Sequence, residues 1–148
     1  MDVKKRKITL SRANLLRSTR IFSKMNPFVK LITKKQEYRS SISKAAEKQP
    51  VWNYTQIIEV DDGEDIKLQI LDFNSRAEPE LIAETILNSK ELLGCILKKD
   101  VKYSNQVVGQ IELEIQNKTN ILDNYVQRIQ QINDNGIQKD LGPQFQYP

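Results

Sequence analysis

The sequence predicts an all-β protein, an eight-stranded antiparallel sandwich followed by an amphipathic helix and an extended tail. Three observations carry this. Short runs rich in β-branched and aromatic residues recur at regular spacing, with Gly, Pro, Asn and Asp turn signals between them. Within the runs, apolar and polar residues alternate, most cleanly where Ile66, Leu68 and Ile70 are interleaved with Lys67 and Gln69. After Ile115 the period changes: Ile121, Leu122, Tyr125, Ile129 and Ile132 recur at helical spacing.

The elements follow in order. Residues 1–7, which include Lys4, Lys5, Arg6 and Lys7, read as a basic N-terminal arm that frays unless held. Ile8 to Leu16 is the first predicted strand, with Ile8 and Leu10 on its apolar face. Arg17 to Met25 is a loop. Pro27 opens a second strand over 28–32, a position where a missing N–H is tolerated. Lys34 to Glu37 is a turn, and Tyr38 to Ser43 a third strand.

Pro50 begins a corner before a fourth strand, Val51 to Val60, in which Trp52 is the largest candidate for burial. Asp61-Asp62-Gly63-Glu64 reads as a hairpin turn. The alternating fifth strand leads through a polar loop to a sixth, Leu81 to Leu87. Asn88 is set to cap one helical turn ended by Gly94. Ile96 to Tyr103 and Val107 to Ile115 complete the sandwich, predicted over residues 8–115. Residues 116–148 hold the helix, stopped at Gly136, and a tail with two prolines.

The chain has 148 residues, enough for one core with appendages. No apolar run is long enough to span a bilayer. A lone cysteine, Cys95, forms no internal disulfide, which fits a reducing, cytoplasmic setting and is expected to be a small buried hydrophobe. The net charge of +4 conceals an asymmetry: residues 1–48 hold 14 Lys and Arg against 3 Asp and Glu, the remainder 9 against 16. An anionic partner would therefore meet the first third. Nucleic acid has the charge it needs but lacks interleaved aromatic residues to stack on, and is disfavoured.

Catalysis is unsupported. The chain has no His, which excludes Ser/His and Cys/His nucleophile pairs and His-bearing metal sites. None of its five glycines stands in the spacing of a phosphate-cradling loop, and neither a cofactor nor a small-molecule substrate is indicated.

Five linked segments carry a family likeness. They are Asn26-Pro27-Phe28-Val29-Lys30-Leu31, Pro50-Val51-Trp52-Asn53, Gly63-Glu64 leading into Ile66 to Asp72, Leu81-Ile82-Ala83-Glu84, and Gly109 to Ile115. In this order and spacing the chain resembles the C2 domain, a β-sandwich family that docks on membranes, often through calcium. The resemblance covers residues 5–115.

That resemblance implies a calcium site at the loop tips, with two Asp in the first loop and about three acidic groups in the third. Here the positions are largely lost. Asn26 replaces one Asp, and the earlier first-loop position falls on Thr19 or Arg20. Asp72 is retained, Asn74 follows, and Glu80 is the last. A hard divalent cation needs six to eight oxygens, and nearby cations oppose it. Arg17, Arg20, Lys24 and Arg76 lie in these loops, so no calcium binding is expected. The resemblance also implies a basic concave face, here Lys30, Lys34, Lys35, Arg39 and Lys44. Ile21-Phe22 forms an apolar loop tip that either inserts into lipid or packs back on the sandwich.

Two functions compete. The favoured one is a non-catalytic, calcium-independent structural or adaptor protein, its termini tethering protein subunits of a larger assembly. The helix stripe at Ile121, Leu122, Tyr125, Ile129 and Ile132 is the partner face in that reading. The alternative is a peripheral module docking on anionic phospholipid through the basic first third. Richness in Asn, Gln, Ile and Lys points to an AT-rich genome, such as a ciliate's, and so to a cytoskeletal or ciliary setting.

Overall fold

The computed structural model describes residues 3–91, 93–117 and Ile129. Eight strands form: β1 (Val3–Leu15), β2 (Pro27–Ile32), β3 (Glu37–Arg39), β4 (Val51–Asp61), β5 (Asp65–Asp72), β6 (Glu80–Asn88), β7 (Ile96–Tyr103) and β8 (Gln106–Asn117). All pairings are antiparallel, in the order β3-β2-β5-β6-β7-β8-β1-β4. β6 and β7 meet at a single pair, Glu84 with Lys102. At that seam the sheet divides into two four-stranded layers.

Period-two patterning explains which side chains enter between the layers. In β5, Ile66, Leu68 and Ile70 are fully buried while Lys67 is exposed. Ile8 and Leu10 of β1 and Ile111, Leu113 and Ile115 of β8 meet them in one core. Trp52 lies in the same core, and its Nε1–H donates to the Pro27 carbonyl over 3.0 Å. Phe28 is buried elsewhere: Val29 and Leu31 join the core, and the Arg39 guanidinium covers Phe28, 4.7 Å from its ring centroid.

Connections alternate between the two ends of the sandwich. The 16–26, 40–50 and 73–79 loops and the Ser104-Asn105 turn share one end. The 33–36, 61–64 and 89–95 turns share the other.

Several expectations are corrected. Residues 4–7 are no free arm: they lie in β1, paired with β4 and in part with β8. Arg6 is buried, its Nε donating to the Ser89 carbonyl over 3.0 Å, and Asp62 stands 3.9 Å from its guanidinium. The third strand is three residues long, and beyond it the Val29 N–H donates to the Ser40 hydroxyl in place of a strand carbonyl.

Asp61 to Glu64 is no hairpin either. β4 pairs with β1 alone, whereas β5 pairs with β2 and β6, so this turn crosses between the layers. The buried Glu64 carboxylate fixes the crossing by accepting from the Asp61 and Lys34 amides at 2.8 and 2.7 Å. Asn88 does act as a cap, its Oδ1 accepting from the Lys90 amide, but residues 89–91 form a turn and not a helix. Cys95 is exposed, in the turn that precedes β7 and next to Gly94 at φ +82°. Most of the predicted helix and tail, including Ile121, Leu122, Tyr125 and Ile132, lies outside the described residues. Ile129 is helical.

Candidate functional site at the loop end

Asp72, the last residue of β5, is buried at the root of the loop end. Its carboxylate accepts four hydrogen bonds. Arg20 Nε reaches Oδ2 at 2.7 Å and Nη2 reaches Oδ1 at 3.1 Å. The Thr19 hydroxyl donates to Oδ2 and the Asn26 amide to Oδ1, both at 2.8 Å. Arg20 Nη2 also donates to the Phe73 carbonyl at 2.8 Å, which ties the first loop to the third. Burial pushes the Asp72 carboxyl up, but the bonds from Arg20, Asn26 and Thr19 outweigh it and hold it below the usual carboxylate range. The Arg20 guanidinium is pushed up in turn, chiefly by its bond to Asp72.

Both candidates for the earlier first-loop position therefore touch Asp72, and one of them is a cation. Asn74 and Glu80 line a small cleft beside the pair, together with Thr19, Ser23, Ala77 and Glu78. Among the described residues no group of three or more acidic or sulfur-bearing side chains is placed to hold a metal ion.

A larger cavity, about 620 Å³, shares Arg20 and Asn74 with this cleft. Asn26, Ile42, Lys44, Phe73 and Ser75 complete its lining. The 40–50 loop is clamped here in a costly shape. Ala45 and Glu47 both hold positive φ, 51° and 57°, which non-glycine residues rarely adopt. The Asn26 side-chain oxygen accepts from the Ala45 amide at 2.8 Å, and the Met25 carbonyl faces the Glu47 amide at 3.4 Å. The Glu47 Oε1 atom is buried without a partner.

The apolar tip does not pack back. Phe22 is 99% exposed and Ile21 89%, whereas Met25 at the base of the same loop is fully buried. Arg17, at the loop's start, donates from Nη1 to the Leu81 and Ile82 carbonyls at 2.9 Å each and stacks on Tyr103 at 3.6 Å.

The five cations predicted as one face are dispersed. Lys34 and Lys35 lie at the opposite end, in the β2–β3 turn. Lys30 and Arg39 are cross-strand partners at mid-sheet, and Lys44 stands at the loop end. Two are paired: Lys30 with Glu37 and Lys34 with Asp61, each at 3.5 Å. Lys67 and Lys102 flank Glu84 on the neighbouring strands and were missed, because only strand register brings them together.

The C2 domain model matches residues 4–103. The chain belongs to the C2 domain family. Solved C2 domains share its fold at low identity. A C2 domain of plant extended synaptotagmin 1 is 17% identical with a TM-score of 0.67, over 79% of this chain and 97% of that one. Calcium-bound extended synaptotagmin 2 is 16% identical with a TM-score of 0.68, over 90% and 53%. Human GIVD cytosolic phospholipase A2 is 19% identical with a TM-score of 0.64, over 80% of this C2 chain and 17% of the enzyme. No curated protein matches. As a C2 domain the chain is a lipid- or protein-interaction module, and no helix among its described residues is long and apolar enough to cross a membrane.

Proposed function

We propose that this C2 domain is a non-catalytic, calcium-independent module that docks on anionic membranes tip first. One observation carries the reading: two large apolar side chains, Ile21 and Phe22, stand in solvent at the loop end. Burying a side chain of this size is worth about 1.5–3 kcal/mol. Each cation held near an anionic surface adds about 1 kcal/mol, and Lys24, Lys44 and Arg76 are exposed on the loops around the tip. The sum gives weak, reversible docking.

Calcium independence rests on Arg20. Its guanidinium occupies the Asp72 carboxylate with two hydrogen bonds and joins two loops as a bridging ion would. The loops are thus held together without an added cation.

The adaptor reading, in which the module holds protein subunits of a cytoskeletal or ciliary assembly, draws on a different observation. Lys30 and Lys67 on the sheet and Lys34 in the β2–β3 turn each face a carboxylate, so this surface is charge-compensated and suits a protein of mixed charge better than a bilayer.

Co-sedimentation with phosphatidylcholine vesicles, with and without phosphatidylserine, separates the two. Docking predicts pelleting with the acidic lipid that survives chelator and is lost in Ile21→Ser, Phe22→Ser. A chain that stays in the supernatant with every vesicle rules docking out and leaves the adaptor reading.

A further inference from the structure

We propose that the cavity between the 16–26, 40–50 and 73–79 loops binds the phosphomonoester group of a phosphate ester. The proposal deepens the docking reading, since a lipid headgroup is one source of that group.

Among the described residues no carboxylate lines this cavity. Its amides are polarised one way. The Asn26 Oδ1 is already taken by the Ala45 N–H at 2.8 Å and the Asn74 Oδ1 by the Arg76 N–H at 2.9 Å. Each amide oxygen is thus already engaged by one backbone N–H, and among the described residues both hydrogens of each NH₂ group remain free to donate. Ser75 adds a hydroxyl and Lys44 an ammonium with no ion pair among the described residues. Arg20 has one further nitrogen, Nη1, whose contact is a long 3.3 Å bond to the Ser23 hydroxyl. Every free polar group in the lining is a donor or can act as one.

A phosphate dianion offers only acceptors, and charge-assisted bonds to it are roughly twice as strong as neutral ones. The carboxylates that act on Arg20 are Asp72, Glu47 and Glu80, and none lines the cavity. The Asp72 oxygens are filled by four donors. At about 620 Å³ the space lies within the range of small-molecule sites and exceeds a bare phosphate. Ile42 and Phe73 provide apolar wall for the organic part of an ester. With Asn at 26 and 74, where the C2 resemblance implies Asp, the cup offers donors suited to an anion in place of acceptors suited to a cation.

The test uses the full chain with two probes. Glycerol phosphate is titrated while the side-chain amides of Asn26 and Asn74 are followed by NMR. Vesicles of phosphatidylcholine carry either phosphatidic acid, which exposes a phosphomonoester, or phosphatidylserine at matched surface charge. Saturable shifts of both amides are expected, with tighter binding to phosphatidic acid. Lys44→Ala should weaken the glycerol phosphate affinity about tenfold and erase the lipid preference. Lys44 is exposed, so the fold should survive its loss. Amide shifts without binding to any vesicle would retain the cup, assign it to a soluble ester and discard membrane docking. Vesicle binding with no headgroup preference and no amide shift would keep docking and overturn the cup.

Discussion

Arg20 and Asp72 form a two-pronged ion pair at the loop end, 2.7 Å from Nε to Oδ2 and 3.1 Å from Nη2 to Oδ1. Removing the cation leaves a buried carboxylate with two neutral donors, Thr19 and the Asn26 amide. Arg20→Met should therefore cost about 1–3 kcal/mol, seen as a lower urea midpoint. Millimolar calcium should not restore it, because Asp72 and Glu80 alone supply too few oxygens. A calcium-dependent rise in the variant's melting temperature would show that the guanidinium had been masking a working ion site.

The same pair sets a pH dependence. Asp72 has a folded-state pKa below its unfolded one, so it contributes stability that is complete above the unfolded value. That contribution is lost as pH falls below about 4 and through the lower folded value. Asp72→Asn removes the titrating group. The gap in urea midpoint between the parent and this variant should be widest near neutral pH and close on acidification. A gap that stays constant with pH would mean that the carboxylate's charge contributes nothing.

Strand positions were legible because burial on one face of a strand leaves a period-two imprint, and six of the eight predicted strands lie within two residues of the observed ones at both ends. Pairing was not legible. Asp61 to Glu64 has the same local chemistry whether the chain turns back beside itself or crosses to the other layer, and only the neighbours of β4 and β5 decide. The exposure of Phe22 was open for a similar reason: no residue near it in sequence reports whether the sandwich offers a place to pack. The residue types at 26 and 74 could be read directly, as Asn where the C2 resemblance implies carboxylates. That Arg20, and not Thr19, closes on Asp72 with a full charge required the loop's path. The polarity of the two Asn amides required the backbone N–H groups of Ala45 and Arg76.

Arg17 reinforces the weakest line of the fold. β6 and β7 share one backbone pair, and Arg17 spans their junction by holding the Leu81 and Ile82 carbonyls while stacking on Tyr103. Arg17→Ala should release both carbonyls and speed hydrogen exchange in β6 and β7 more than in β1 or β8. Tyr103→Leu removes only the ring and should cost about 0.5–1 kcal/mol. Equal acceleration across all strands in Arg17→Ala would show global destabilisation in place of a local clamp.

Gly94 and Gly109 both hold positive φ, at +82° and +155°, for different reasons. A Cβ on Gly94 meets nothing within 4 Å, so Gly94→Ala bears only the cost of a left-handed backbone, about 1–2 kcal/mol. A Cβ on Gly109 would sit 2.3 Å from the Asn14 carbonyl oxygen and 3.0 Å from the Leu15 Cα. These are backbone atoms of the paired strand, and no side-chain rotation can relieve the contact. Gly109→Ala should therefore push β8 from β1 at the register of Leu15, where the Leu16 amide also bonds the Val108 carbonyl at 2.7 Å. Its cost should be the larger, about 2–4 kcal/mol by urea unfolding. The loss should include the base of the 16–26 loop, and with it the placement of Arg17 and Arg20. A Gly109→Ala protein no less stable than Gly94→Ala would mean that the two strands can part without disturbing the core between them.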